Sequence, residues 1–312
     1  MKETEVLCIG IACMDVLIKN VDLATPFSEE TKHADHVSTG IGGDAANEAI
    51  VLSRLGHNVK IMCGIGDDDT GNFIKSTLLK NEVDISDMKE EKGEDSPINV
   101  IVIRKDGERN CINAGVAKSA YFVPDFEKIG NPKIVSLASL FLPPFTDVKV
   151  FTETAKKAKE RGALVSLDVV VSKDSSIDRY KEALPYVDYI FPNREEAEIL
   201  TGKKELSEMA DILLGYGIKN VIIKTGKDGC YIKNVTGEYR IPGYQISNVV
   251  DTTGAGDNFA AGLISGLLQK MSLQDACSYA CGVAAISIQK QGAIGGVQNR
   301  EQVNQFITEN RR

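Results

Sequence analysis

Asp251-Thr252-Thr253-Gly254-Ala255-Gly256-Asp257-Asn258-Phe259 is the stretch on which the reading of this chain turns. It begins as a loop of small residues and runs into Ala260-Ala261-Gly262-Leu263-Ile264-Ser265-Gly266-Leu267, an Ala- and Gly-rich amphipathic helix pattern. Such a loop at a helix N-terminus exposes several backbone N–H groups, and the helix dipole adds partial positive charge there. Gly254, Ala255 and Gly256 therefore outline a site for a phosphate or a developing oxyanion. Asp257, inside that site, has two readings. It is a first-turn acid that steadies the helix, or it accepts the proton of a hydroxyl attacking a phosphoryl group held by the loop. Two other phosphate motifs fail. The chain has no Gly-x-x-x-x-Gly-Lys-Ser/Thr, and Phe259 stands where Gly-x-Gly-x-x-Gly needs its third glycine.

Outward from this loop, short Val- and Ile-rich runs recur at Val6–Ile9, Val59–Cys63, Ile134–Leu137, Leu164–Leu167, Val187–Phe191 and Val221–Ile223. Between several of them lie helical patterns, at Ala45–Leu55, Thr70–Lys80, Val148–Arg161, Glu195–Leu200 and Ala255–Leu268. This alternation predicts an α/β fold, a mainly parallel central sheet with helices on both faces. Two stretches break it. Asp15–Asn20 with His36–Gly40 reads as exposed strand, and Ile98–Arg104 with Arg109–Asn113 as a hairpin around the Asp-Gly turn in Lys105–Glu108. They predict a small separate sheet. Lys89–Asp95 is a charge run and reads as a solvated loop.

The 312 residues suffice for one large α/β domain. A net charge of −8 lacks the basic footprint of a nucleic-acid binder. No apolar run approaches the roughly 18 residues of a membrane span, and the polar start of the chain lacks a signal-peptide layout. The seven cysteines are odd in number and irregular in spacing, and all read as reduced, packed thiols in a cytoplasmic protein. His33, His36 and His57 converge on no motif and read as surface residues.

A second glycine cluster lies near the N-terminus, Gly42-Gly43-Asp44-Ala45-Ala46-Asn47-Glu48-Ala49, followed by Cys63-Gly64-Ile65-Gly66-Asp67-Asp68-Asp69-Thr70-Gly71. A Gly-Gly pair lets a ligand approach the backbone closely, although a bare helix start explains it as well. Asn47 offers both donor and acceptor to a polyol, and the Asp15 carboxylate can accept two hydroxyl hydrogen bonds. Asp68 and Asp69 fit a cap-and-turn cluster. Asn193-Arg194-Glu195-Glu196 opens a helix, with Asn193 suited to its N-cap. Lys224-Thr225-Gly226-Lys227-Asp228-Gly229 joins two strands as a glycine turn.

Both glycine signatures, in this order and spacing, resemble those of the ribokinase-like (PfkB) carbohydrate kinase family, and the likeness covers nearly the whole chain. It implies a three-layer αβα domain over residues 1–312, with lid strands from about 15–40 and 97–114 inserted in it. It implies phosphoryl transfer from ATP to a hydroxyl of a small sugar or sugar-like molecule, with Asp257 as general base and the Gly254, Ala255, Gly256 and Asp257 amides as anion hole. Carried over residue by residue, the sugar is held by Asp15, Gly42, Gly43 and Asn47. Asn193, Glu196, Thr225, Gly226, Gly229 and Gly282 border the nucleotide. Glu196 organises Mg2+ through water, and some members hold a monovalent cation where Asp251, Thr253 and Gly292 stand here, which extends a K+ site to this chain. The lid often mediates dimer contact in that family, so the partners implied are a small-molecule substrate and a second copy of the chain, without nucleic acid or membrane.

The chain departs from ribokinases in three places. Phe141, in Ser139-Leu140-Phe141-Leu142-Pro143, replaces the glutamate that binds the sugar there. Asp44 stands where a lysine is usual. The Gly254-Ala255-Gly256 loop is closer to fructokinases and broader sugar kinases. Ribose is thereby put in doubt. A nucleoside kinase of the same family, and a non-catalytic sugar- or nucleotide-binding member, are the alternative readings.

Overall fold

A computed structural model describes residues 3–21, 33–104, 109–113 and 117–310. In chain order it places β1 (Val6–Ile9), β2 (Cys13–Lys19), β3 (His36–Gly42), α1 (Asp44–Arg54), β4 (Val59–Met62), β5 (Gly64–Gly66), α2 (Asp69–Lys80) and β6 (Lys89–Glu91). Next come β7 (Ile98–Ile103), β8 (Arg109–Asn113), β9 (Ile134–Leu140), α3 (Val148–Glu160), β10 (Leu164–Val169), β11 (Tyr189–Ile190), α4 (Arg194–Thr201) and α5 (Leu206–Gly215). The chain closes with β12 (Asn220–Lys224), β13 (Cys230–Asn234), β14 (Gly237–Ile241), α6 (Ala255–Leu268), α7 (Leu273–Ser287) and α8 (Arg300–Glu309).

Eight strands form the main sheet in the order β14-β13-β12-β11-β10-β9-β1-β4. Pairing is parallel from β12 through β4, and β13 and β14 add an antiparallel edge. Every residue of β1 and β9 is buried, as expected for central parallel strands covered on both faces. Side chains alternate across the sheet. Leu7 and Ile9 pack with Phe151 of α3, Ala197 of α4 and Met209 of α5. Val6 and Cys8 pack with Ala49 of α1, Ile264 of α6 and Val303 of α8. The expected three layers follow from this alternation.

The small sheet is also present, in the order β3-β2-β7-β8. Asp15 lies opposite Gly40 on one side and Asn99 on the other, so Asp15 and Asn99 share a face. The other face carries Met14, Val16, Ile18, Val37, Ile98, Val100 and Ile112. Val37 is 59% and Ile112 57% exposed. The Lys105–Glu108 turn lies outside the described residues.

Four expectations need correction. Lys89–Glu91, within the charge run, is a strand paired in parallel with Gly64–Gly66; its exposed edge tolerates charge, which hid it. The strand expected over Val187–Phe191 is only Tyr189–Ile190. His57 is buried, its Nε2 2.9 Å from Ser265 Oγ and its Nδ1 3.6 Å from Glu5. Six cysteines are buried free thiols, but Cys111 is exposed. Among the described residues no helix is long and apolar enough to cross a membrane.

Candidate active site

The chain leaves β1 for β4 on one side, while β9 pairs on the other. Strand order therefore reverses beside β1, and ligands of open α/β sheets bind beyond the carboxyl ends of the strands at such a point. A cleft of about 930 Å3 opens there, within the size range of small-molecule sites.

Gly254 is the N-cap of α6 in the left-handed region, with φ 71° and ψ 8°. A Cβ on it would stand 2.5 Å from the Ala293 Cβ, so both conformation and space call for glycine. Asn258, which the sequence reading quoted but gave no role, donates to the Gly254 carbonyl at 2.8 Å and the Ala293 carbonyl at 2.7 Å. It ties the loop to the 293 segment, and Gly254, Ala255, Gly256 and Asp257 all line the cleft.

Asp257 sits in the first turn of α6. Asn47, on α1, donates to its Oδ2 at 2.7 Å. The sequence separation is 210 residues, and the packing of α1 on α6 closes it. Burial pushes the Asp257 carboxyl up to about 6; the Asn47 bond opposes this, Asp168 adds to it and Lys224 opposes it. A base poised just below neutrality suits proton abstraction at physiological pH.

Around Asp257 one end of the cleft presents Asp15, Gly43, Asp44, Asn47 and Asn99. Asn99 donates to Asp15 at 3.3 Å, and burial raises the Asp15 carboxyl. Gly42 lies behind: a Cβ there would collide with the Asp15 carboxylate. Gly43, at φ 90°, caps α1 and has no room for a Cβ beside the Ile11 carbonyl. Asp44 accepts from Ser139 Oγ at 2.8 Å; burial, then the neighbouring Asp257, push its carboxyl well up.

At the far end Lys224, the last residue of β12, reaches Asp168 near the end of β10 at 3.1 Å. Burial would lower the Lys224 ammonium, but Asp168 and Glu196 outweigh it and hold its pKa above the usual value. Asn193 and Glu196 form a capping box at the start of α4: Glu196 N donates to Asn193 Oδ1 at 2.9 Å, and Asn193 N to Glu196 Oε2 at 2.6 Å. Burial lifts Glu196 to about 7 against the pull of Lys224. Both capping-box residues line the cleft, as do Gly226 and Gly229.

The structure does not gather every residue singled out. Phe141, at φ 74°, packs edge-on against Tyr180 with ring centroids 5.4 Å apart and is absent from the cleft wall. Gly282 faces Ile307 and Tyr244; its neighbours Cys281, Ala284 and Ala285 make the wall instead. Thr225 holds the turn, its N–H donating to the Gly229 carbonyl at 2.8 Å. Asp251 ties two loops together: Oδ1 accepts from Thr253 N and Oδ2 from Gly292 N, each at 2.9 Å. Burial raises its carboxyl, but the two amides outweigh that and hold it below its usual range. Thr253 lines the cleft, whereas Gly292 lines a neighbouring cavity.

Asp168, Lys224 and Asn99 were missed by sequence reasoning. A signal existed for the first two. Each is a charged residue ending an apolar parallel strand, at the sheet edge where ligands bind.

Residues 3–300 match the family described as pfkB family carbohydrate kinase. The 2-dehydro-3-deoxygluconokinase of Bacillus subtilis (strain 168) is 29% identical over 319 residues, spanning 96% of this chain and 97% of that protein. The ribokinase of Haemophilus influenzae is 28% identical over 283 residues, spanning 89% and 90%. Among solved structures, Arabidopsis thaliana ribokinase complexed with ribose and ATP has a TM-score of 0.86 at 25% identity, covering 98% of this chain and 99% of that one.

Proposed function

Because this chain belongs to the pfkB family of carbohydrate kinases, its reaction is the phosphorylation of a sugar, and we propose that Asp257 is the base of that transfer with ATP as donor. The observation that carries this is the Asp257 carboxylate inside the Gly254–Gly256 amide loop, held by Asn47 and poised near pH 6. The acceptor hydroxyl gives its proton to Asp257 as its oxygen bonds to the γ-phosphorus. The bond from that phosphorus to the β-phosphate bridging oxygen breaks, and ADP leaves. The Gly254, Gly256 and Asp257 amides hold the charge that develops, whereas the Ala255 N–H, expected to join them, donates to the Thr252 carbonyl at 3.2 Å. Asp15, Asn47 and Asn99 orient the acceptor, while Gly226, Gly229 and the Ala284–Ala285 wall border the nucleotide. Gly42 keeps room for Asp15, so its part in sugar binding is indirect. Lys224 neutralises Asp168 and Glu196.

Asp168 raises the pKa of both Glu196 and Asp257, and Asp257 raises that of Glu196, with Lys224 as the cation that opposes both shifts. Among the described residues no three His, Cys, Asp or Glu side chains are gathered closely enough to hold a metal directly; Glu196 would hold Mg2+ through water, and the ion would supply positive charge to the donor's phosphates. Asp251 keeps acceptor capacity beyond its two amide bonds, which suits a monovalent cation beside Thr253 and Gly292. Replacing K+ by a large organic cation is expected to lower the rate; an unchanged rate would remove the K+ site.

Asp257 must be deprotonated to act, so kcat/KM is expected to fall as pH drops through about 6. Asn47→Ala deletes the bond that favours the carboxylate. The Asp257 pKa then rises and the acid limb moves to higher pH, read from a profile between about pH 5 and 8. An acid limb that stays in place with Asn47 replaced would show that another group sets it.

The small sheet serves as a lid within a single kinase domain, and its apolar outer face, with Val37 and Ile112 exposed, is the face on which two copies pair. Light scattering is expected to give twice the chain mass, falling to one chain mass for a Val37→Asp/Ile112→Lys variant. A wild-type protein of single-chain mass at micromolar concentration would contradict the pairing.

A further inference from the structure

The acceptor end does not stop at Asp15. A second cavity of about 610 Å3 lies between the small sheet, α2 and the 291–295 loop. It shares Asp15, Ile101 and Thr253 with the first as lining residues. Asp15 therefore stands in the wall of two adjacent chambers, each of small-molecule size.

The chambers differ in charge. The first presents Asp15, Asp44 and Asp257 around the reacting hydroxyl. The second is lined by Arg54, Lys80 and His36, with Asp15 as its one carboxylate among the described residues. Arg54 is the telling member. Its Nε donates to Asn81 Oδ1 at 2.9 Å, and its Nη1 to the carbonyls of Ile294 at 2.5 Å and Val297 at 2.9 Å. A guanidinium has five N–H donors, so the two on Nη2 make no hydrogen bond among the described residues. No described carboxylate pairs with it, and burial alone shifts its pKa, downward. A half-buried guanidinium with two donors unused by the described residues and no carboxylate partner is free to hold an anion by a charge-assisted hydrogen bond.

Distance along α1 says how far that anion lies from the chemistry. Asn47 touches Asp257, and Arg54 is seven residues further on the same helix. Seven residues return to the same face about 10 Å along the axis, farther than one sugar ring spans.

We propose that the second chamber is part of the acceptor site, and that Arg54 with Lys80 binds a carboxylate at the far end of a polyhydroxylated acceptor longer than a hexose. This rests on the sugar-kinase reading, and the test keeps the two apart. Acceptor pairs that differ only in a terminal carboxylate are titrated calorimetrically against the whole chain: fructose with fructuronate, and sedoheptulose with its terminal uronic acid. The same pairs are assayed for ATP consumption. The seven-carbon acid is expected to bind at least about tenfold more tightly than its neutral partner, the effect of one charged hydrogen bond, with a smaller ratio for the six-carbon pair. Lys80→Ala, on an exposed side chain, and Arg54→Gln should each bring the seven-carbon ratio toward one. Arg54→Gln also loses bonds to the 294–297 loop, so the Lys80 variant keeps the test independent of folding. Equal affinity within the wild-type seven-carbon pair, or a ratio that survives both substitutions, overturns the proposal. Sulfate that stimulates turnover of neutral fructose without competing with the acid would assign Arg54 to a free anion, and overturns it too. Binding preference without ATP consumption upholds the chamber and sinks the kinase reading. ATP consumption without preference does the reverse.

Discussion

Asp257→Asn is expected to lower kcat by about 10²–10⁴-fold, the usual contribution of general acid–base catalysis, which is a barrier increase of about 3–5 kcal/mol. Asparagine keeps the shape of the side chain and still offers an oxygen to Asn47 Nδ2, now 2.7 Å from Asp257. It cannot take a proton. The amide loop of Gly254–Gly256 is untouched, so the KM for ATP should hardly change. The loss therefore falls on a step after nucleotide binding, as expected for an interaction made in the transition state. Steady-state kinetics with ATP varied at saturating acceptor reads both constants. Turnover within a few-fold of wild type would mean that Asp257 only steadies the first turn of α6.

The second large effect belongs to Lys224→Met. Lys224 lies 3.1 Å from Asp168, which is buried at 7% exposure, while Lys224 itself is 14% exposed. Removing one partner of a buried pair leaves the other charge uncompensated, at a cost of about 3–5 kcal/mol. Urea unfolding should show that loss. A kinetic consequence follows from the same charge. Lys224 lowers the Asp257 pKa, so its removal raises that pKa and carries the acid limb of kcat/KM to higher pH, in the same direction as Asn47→Ala. Unchanged stability would mean that Asp168 is readily rehydrated or protonated in the folded chain. An unmoved pH profile would mean that Lys224 is electrostatically remote from the base.

How much of this could be read beforehand differs by residue. The parallel strands of the main sheet were legible because burial on both faces makes them continuous apolar runs, as in Val6–Ile9. Lys89–Glu91 was not, because an exposed edge strand needs only backbone partners, here Gly64–Gly66, and leaves no apolar trace. The anion loop was legible because glycine at 254 answers to a local demand, a φ of 71° and no room beside Ala293. Asp257 and Asn47 were each visible, but their contact was not, since it depends on how α1 and α6 pack. Phe141 shows the opposite failure. A position taken over from a resemblance went to the hydrophobic core against Tyr180, because a ring at that point gains more from packing than from facing a polar cleft. Lys224 and Asp168 ended apolar strands and could have been flagged from that pattern, yet their pairing required the sheet order.

The central claim is that this chain moves a phosphoryl group onto a sugar hydroxyl with Asp257 as base. The most direct measurement is ADP formation by the purified protein with ATP, Mg2+ and K+. It is run without acceptor and against ribose, fructose, tagatose, 2-keto-3-deoxygluconate, longer acid-terminated sugars and several nucleosides, with Asp257→Asn in parallel. The account predicts ADP that depends on a sugar acceptor, appears with an equal amount of phosphorylated sugar, and is all but absent in the variant. ADP formed equally with and without acceptor, or sugar phosphorylation that survives in the Asp257→Asn protein, would contradict it.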